Sequence, residues 1–180
     1  QNQGVVALTD TENAIPDSVL YEYRFGDETD TSTAIDSIGT ANASINGASY
    51  ATPSFAGDYA LLFDGNNDSV QLPFSDAFNG GDFTVIFAGR SSSSNRQIAL
   101  SNNNKQTGRF DFDFYYGGSA NFFLDGLSTS LSGTTTTNDG NYHKIALRRT
   151  GNLWELIIDD NVEDSVTEDV TPDNSVNYDL

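Results

Sequence analysis

Apolar and polar positions alternate with a period of two along most of this chain. Val19, Tyr21, Tyr23 and Phe25 fall on one side, Leu20, Glu22 and Arg24 on the other. Phe83, Val85 and Phe87 alternate with Thr84, Ile86 and Ala88. Phe110, Phe112, Phe114 and Tyr116 alternate with Asp111, Asp113 and Tyr115. Successive side chains leave a pleated strand on opposite faces, so each run predicts a strand. Trp154, Leu156 and Ile158 alternate with Leu153, Glu155 and Ile157, where both sides are mostly apolar. That run predicts a strand covered on both faces. No stretch carries the spacing of an amphipathic helix.

Turn-forming residues separate the runs: Asp64 to Asp68, Asn79 to Asp82, Ser91 to Asn95, Ser101 to Gly108, Gly117 to Ser119, Ser132 to Asn141 and Asp159 to Asn161. Short strands divided by Gly, Asn, Asp and Ser turns predict an all-β fold, a two-sheet antiparallel sandwich. Only the facing sides of two sheets need be apolar, which accounts for the modest hydrophobicity. Residues 1–17 read as an N-terminal arm and residues 18–180 as one domain.

Charge narrows the partners. The chain carries 26 acidic and 8 basic side chains, a net charge of −18. A nucleic-acid ligand requires clusters of Lys and Arg, and only the Arg148-Arg149 pair is present. An anionic membrane surface is disfavoured for the same reason. The acids are 20 Asp against 6 Glu, and the lysines are Lys105 and Lys144 alone. Such a surface suits a salt-loving host, where molar salt screens self-repulsion; an ordinary acidic exported domain is the other reading. Apolar runs are too short for a membrane span. Cysteine is absent, so neither disulfides nor thiol chemistry is available. Methionine is absent too, and the chain begins at Gln1, as expected after removal of a leader or for an excerpt of a longer protein.

The order of several segments resembles the laminin-G-like, or concanavalin A-like, jelly-roll family. They are Leu20 to Phe25, the loop Asp36-Ser37-Ile38-Gly39-Thr40-Ala41-Asn42, Ile45 to Ala48, and Leu61 to Pro73, which is similar to the family's most recognisable hairpin. Asp82 to Ala88, Asp139 to Leu147 and the hairpin-like Leu153 to Asn161 follow in the family's order. The resemblance implies a concanavalin A-like jelly-roll sandwich. The family's usual last strand has no clear counterpart, and Val176 to Leu180 is unlike it. A sheet lacking that strand would expose an edge that pairs by strand addition with a second copy or a neighbouring subunit. An altered last strand or an incomplete chain is the alternative.

Retaining glucanases of this sandwich type use two carboxylates placed by an alternating strand. Asp111 and Asp113 share a face, but no Glu follows at the required offset, and Glu163, Asp164 and Glu168 read as solvated surface acids. The one histidine, His143, reads as a hydrogen-bonded strand residue. The chain is therefore expected not to be an enzyme. The resemblance implies one structural Ca²⁺ at Asp36, Gly39 and Asn42. Asp64 and Asp68 offer a second oxygen cluster; turn chemistry is the alternative for both Asp-rich loops and the preferred one for Asp64. Sugar binding is the leading ligand expectation, because an aromatic platform beside Asp and Asn side chains suits a sugar. Its residues are Asp111, Asp113, Tyr115, Asn121 and Arg109, with Arg90 and Arg96 placed to meet an anionic glycan. The expected function is a non-enzymatic glycan-binding or adhesion module that meets cell-surface glycan or glycoprotein outside the cell, on the cell surface or on a virion surface. The alternative is a structural subunit of a virion or surface filament in a halophilic host.

Overall fold

The alternating runs become strands of two antiparallel sheets. The computed structural model describes residues 2–5, 21–25, 31–51, 60–73, 78, 81–102, 108–172 and 178–180. In chain order the strands are β1 (Asn2–Val5), β2 (Thr33–Ala34), β3 (Ala43–Asn46), β4 (Ser49–Ala51), β5 (Ala60–Phe63), β6 (Ser69–Leu72), β7 (Phe83–Arg90) and β8 (Gln97–Ser101). They continue as β9 (Phe110–Tyr116), β10 (Ser119–Leu124), β11 (Leu131–Ser132), β12 (Tyr142–Thr150), β13 (Leu153–Ile158), β14 (Asn161–Thr167) and β15 (Tyr178–Asp179). A seven-stranded sheet has the order β14-β13-β12-β7-β1-β5-β4, and an eight-stranded sheet the order β11-β10-β9-β8-β15-β6-β3-β2. Among the described residues no helix is long and apolar enough to cross a membrane.

The core lies between the sheets and is largely aromatic. Phe110, Phe112 and Phe122 of the eight-stranded sheet and Trp154 of the seven-stranded sheet are fully buried. Phe122 stacks on Trp154 and Phe87 meets Phe114 edge-on, both pairs crossing from one sheet to the other. This contact across two layers is what makes the molecule a β-sandwich.

Several expectations are refined. Tyr21 to Phe25 form no strand. Tyr23 makes an isolated bridge with Asp36, and Phe25 turns the backbone out of extension at φ 49°. Val19 and Leu20 lie outside the described residues. Leu61 to Pro73 is not a hairpin: β5 pairs with β1 and β4 in one sheet, β6 with β3 and β15 in the other. The Asp64 to Asp68 turn therefore crosses the rim of the sandwich. β13 is covered on one face only, because Leu153, Glu155 and Ile157 remain half-exposed.

β1 and β15 both take interior places in their sheets. β1 lies between β5 and β7. β15 lies between β6 and β8, where fully buried Tyr178 meets Phe110 edge-on at 5.3 Å. The β13–β14 hairpin closes through Asp159 and Asp160, with φ of 48° and 69°. Two successive positive φ values define the tight turn whose twist matches antiparallel strands, and Asp tolerates them better than most side chains.

Candidate functional site

β9 sorts its side chains onto two faces. Phe110, Phe112 and Phe114 enter the core, and Asp111 and Asp113 stand on the outer face of the eight-stranded sheet. Both carboxylates are nevertheless buried. Arg96, from the connection before β8, lies over them. Its Nε donates to both Asp113 oxygens at 3.0 Å, and its Nη2 lies 2.7 Å from Asp111 Oδ2 and 2.8 Å from Asp113 Oδ1. Arg109, just before β9, brings Nε and Nη2 to the same Asp111 Oδ2, each at 2.5 Å. Ser101 of β8, opposite Asp111 in register, donates its hydroxyl to Oδ1 at 2.6 Å.

The neighbouring acids titrate in opposite directions. Burial alone would raise Asp111, but bonds from Ser101, Arg96 and Arg109 outweigh it and hold the carboxyl below its ordinary value. Asp113 is fully buried, and burial pushes it up to about 6 against the pull of Arg96, with the Asp111 charge adding to the rise. The two carboxylates in turn hold the Arg96 guanidinium above its ordinary value despite its own desolvation.

An irregularity in β9 decides which aromatics join this face. Register shifts between Gln97 and Ile98 on the β8 side, and between Ser119 and Asn121 on the β10 side, place extra β9 residues after Asp113. A bulge of this kind moves the alternation by one. Tyr115 consequently packs against the core, and Tyr116, 48% exposed, reaches the outer face. The exposed tyrosine on this face is thus Tyr116, next to the expected Tyr115. Tyr116 lies under the Arg96 guanidinium at 5.5 Å and meets Phe123 of β10 edge-on at 5.7 Å. Phe123, opposite Asp111 in register, lies under Arg109 at 4.9 Å. Arg96, Asp111, Arg109, Phe123 and Tyr116 thus form a closed ring of contacts, with Ile98 exposed beside it.

Asn121 is opposite Asp113, but its amide is occupied. Nδ2 donates to the Tyr116 carbonyl at 3.1 Å, and Oδ1 accepts from Ser132 at 2.8 Å. It holds the bulged end of β9 against β11 and is buried. Four of the sequence-derived ligand residues, Arg109, Asp111, Asp113 and Asn121, are therefore together, and Tyr115 is apart. The pairing of Phe123 with Asp111 had no signal in the sequence, because it depends on strand register. Asn103 and Asn104 lie outside the described residues.

The expected metal positions fall in two places. Asp36 is buried, and its carboxylate accepts the backbone N–H groups of Glu22, Ile38 and Ala41 at 3.2, 3.2 and 3.3 Å. Asn42 Oδ1 accepts from the Asp36 N–H at 3.1 Å. A side chain at Gly39 would meet Asp36 Oδ2 at 2.6 Å, so only glycine lets the loop close over the carboxylate. At the second place Asp68 accepts from the Asp64 N–H at 2.7 Å, and Asp64 from Asn66. As placed, these oxygens cap turns. Among the described residues no group of three His, Asp or Glu side chains is arranged to share a metal.

His143 bridges two carboxylates, Nδ1 to Asp159 at 2.8 Å and Nε2 to Asp139 at 3.1 Å. Burial would lower the imidazole, but these partners raise it above its ordinary value. Each ring nitrogen therefore has a carboxylate partner.

Glu163, Asp164 and Glu168 are not simply solvated. Glu163 accepts from the N–H groups of Thr134 and Thr135, Asp164 from Ser132, and Glu168 from Ser128. These bonds tie β14, an edge of one sheet, to the segment around β11, an edge of the other. No protein-family model and no curated protein matches the sequence.

Proposed function

We propose that this chain is a concanavalin A-like jelly-roll module of the laminin-G-like kind, displayed outside a cell or on a virion, that binds a glycan without transforming it. The seat is the outer face of the eight-stranded sheet, around Arg96, Arg109, Asp111, Tyr116 and Phe123. One observation carries the reading: the closed ring in which paired guanidiniums and aromatic rings surround a buried carboxylate. A sugar offers an apolar ring face to an aromatic and hydroxyls to charged groups, and this patch presents both types of contact side by side. The non-catalytic part rests on the strand itself, in which no Glu follows Asp111 and Asp113 at the offset that a retaining glucanase uses.

The test is a glycan array in molar salt, with and without chelator, repeated with Tyr116→Ala and Phe123→Ala. Binding by the native chain and its loss in both variants supports the reading, provided circular dichroism shows the variants folded. A blank array, or binding untouched by both substitutions, refutes it. Release of reducing ends from a bound polysaccharide would refute the non-catalytic part.

A further inference from the structure

Arg96 and Arg109 meet at one oxygen. Each aims Nη2 at Asp111 Oδ2, at 2.7 and 2.5 Å, so the guanidiniums sit side by side. Their hydrogen bonds all use Nε and Nη2, and among the described residues neither Nη1 has a partner. Both side chains stay about one-third exposed, at 31% and 33%. Among the described residues, Arg24 on Glu22, Lys144 on Asp160 and Arg148 on Glu155 each stand singly against one carboxylate. Two adjacent guanidinium edges are a receptor for an oxyanion, which accepts their N–H donors in pairs.

We infer, granting the glycan reading of this face, that its sugar is acidic: an oxyanion on the sugar ring is held by the Nη1 edges of Arg96 and Arg109 while the ring lies against Tyr116. A uronic acid carboxylate and a sulfate ester share that chemistry. The rest of the molecule opposes an anionic ligand, because the net charge is −18. That repulsion acts at long range and fades in molar salt, where the Debye length is about 3 Å, whereas contacts at hydrogen-bond distance persist. Affinity therefore holds or rises with salt, opposite to a basic groove.

Asp113 adds a pH dependence. It is faced by Arg96 from the connection before β8, by Asp111 and Arg109 on its own side of the hairpin, and by uncharged Ile98 of β8 and Asn121 of β10. As the pH falls through about 6, Asp113 gains a proton and the cluster keeps both cations. A uronate with an α-carboxyl-like pKa of roughly 3.5 stays ionised in that range.

The test is calorimetric titration of the whole chain with trimers of galacturonic acid, sulfated galactose and neutral galactose. Each is run in dilute and molar sodium chloride, at about pH 5 and about pH 7.5, on either side of the Asp113 value. At least one acidic trimer should bind about tenfold more tightly than the neutral one. Its affinity should not fall in molar salt and should be severalfold higher at the lower pH. The carboxylate and sulfate arms identify which oxyanion is read. Arg109→Gln should abolish the preference, Arg109→Lys should retain part of it, and Tyr116→Ala should weaken all three sugars alike. Equal binding of neutral and acidic trimers, unchanged in Arg109→Gln, overturns the inference and leaves the glycan reading standing. No binding by any trimer together with a blank array overturns both.

Discussion

Phe122 of β10 lies almost flat on Trp154 of β13, with centroids 5.5 Å apart and planes 22° apart, although the strands belong to different sheets. Phe83 meets the same indole edge-on from the neighbouring part of the seven-stranded sheet, at 5.7 Å. The indole N–H reaches the Glu168 carbonyl at 3.3 Å, so its polar atom is satisfied inside the core. This stack joins the two layers directly beneath the outer-face cluster, since Phe122 and Phe123 are successive residues of β10.

Removing the upper ring should therefore loosen both layers. Phe122→Ala is expected to cost about 3–5 kcal/mol, the range for deleting a buried aromatic. Urea unfolding followed by Trp154 fluorescence measures it. A cost under about 1 kcal/mol, the level of an ordinary surface change, contradicts the packing described.

Asp113 should make stability depend on pH in an unusual direction for a carboxylate. Its pKa rises from 3.8 in the unfolded chain to about 6 in the folded one. Between those values the folded state binds more protons, so its contribution to stability falls as pH rises from about 4 to about 6. Asp113→Asn should lack that slope. Asp113→Ala, which removes one of the two carboxylates on Arg96 and leaves Asp111, should cost about 1–3 kcal/mol. Denaturation midpoints across this pH range decide it, and a native-to-Asn difference that stays constant with pH contradicts the assignment.

Glu163 should act in the opposite sense. Burial would raise it, but bonds from Thr134 and Thr135 bring it below its ordinary value. Its folded pKa is depressed, so its contribution is present above the unfolded value near 4.5 and is lost as pH falls through the folded value. Glu163→Gln is expected to lower the melting temperature by about 2–4 °C at neutral pH and to reduce further loss in acid. Differential scanning calorimetry from neutral pH downward checks both parts.

The His143 clasp runs the other way again. A raised imidazole stabilises fully below its unfolded value of 6.5, and the contribution disappears as pH climbs through the folded value. NMR titration of the ring should place its midpoint above 6.5, and Asp159→Asn should lower that midpoint. A midpoint unchanged by the substitution would mean that Asp159 does not hold the proton.

Much of this arrangement was legible before any coordinates. Alternation placed Phe110, Phe112 and Phe114 on one face and Asp111 and Asp113 on the other, because a regular strand leaves no other choice. The same rule misassigned Tyr115 and Tyr116, since a bulge is set by two neighbouring strands and leaves no mark in the strand that carries it. Asp64 to Asp68 read as a hairpin turn because the local chemistry is the same whether the chain returns to its own sheet or crosses to the other. Arg96 was visible only as a loop cation, as its partners lie 15 and 17 residues further on. β1 and β15 are too short to show a period, and their interior places follow from pairing alone.

The central claim is that a sugar meets the chain on the outer face of the eight-stranded sheet. The most direct measurement is a chemical-shift titration of the isotope-labelled chain in molar salt with the oligosaccharide that scores highest on the array. Shifts concentrated at Ile98, Asp111, Tyr116 and Phe123, with the Arg96 and Arg109 side-chain Nε–H signals moving in step, are the result the account predicts. Shifts confined to the Asp36 to Asn42 loop or to β4, with that face silent, would contradict it.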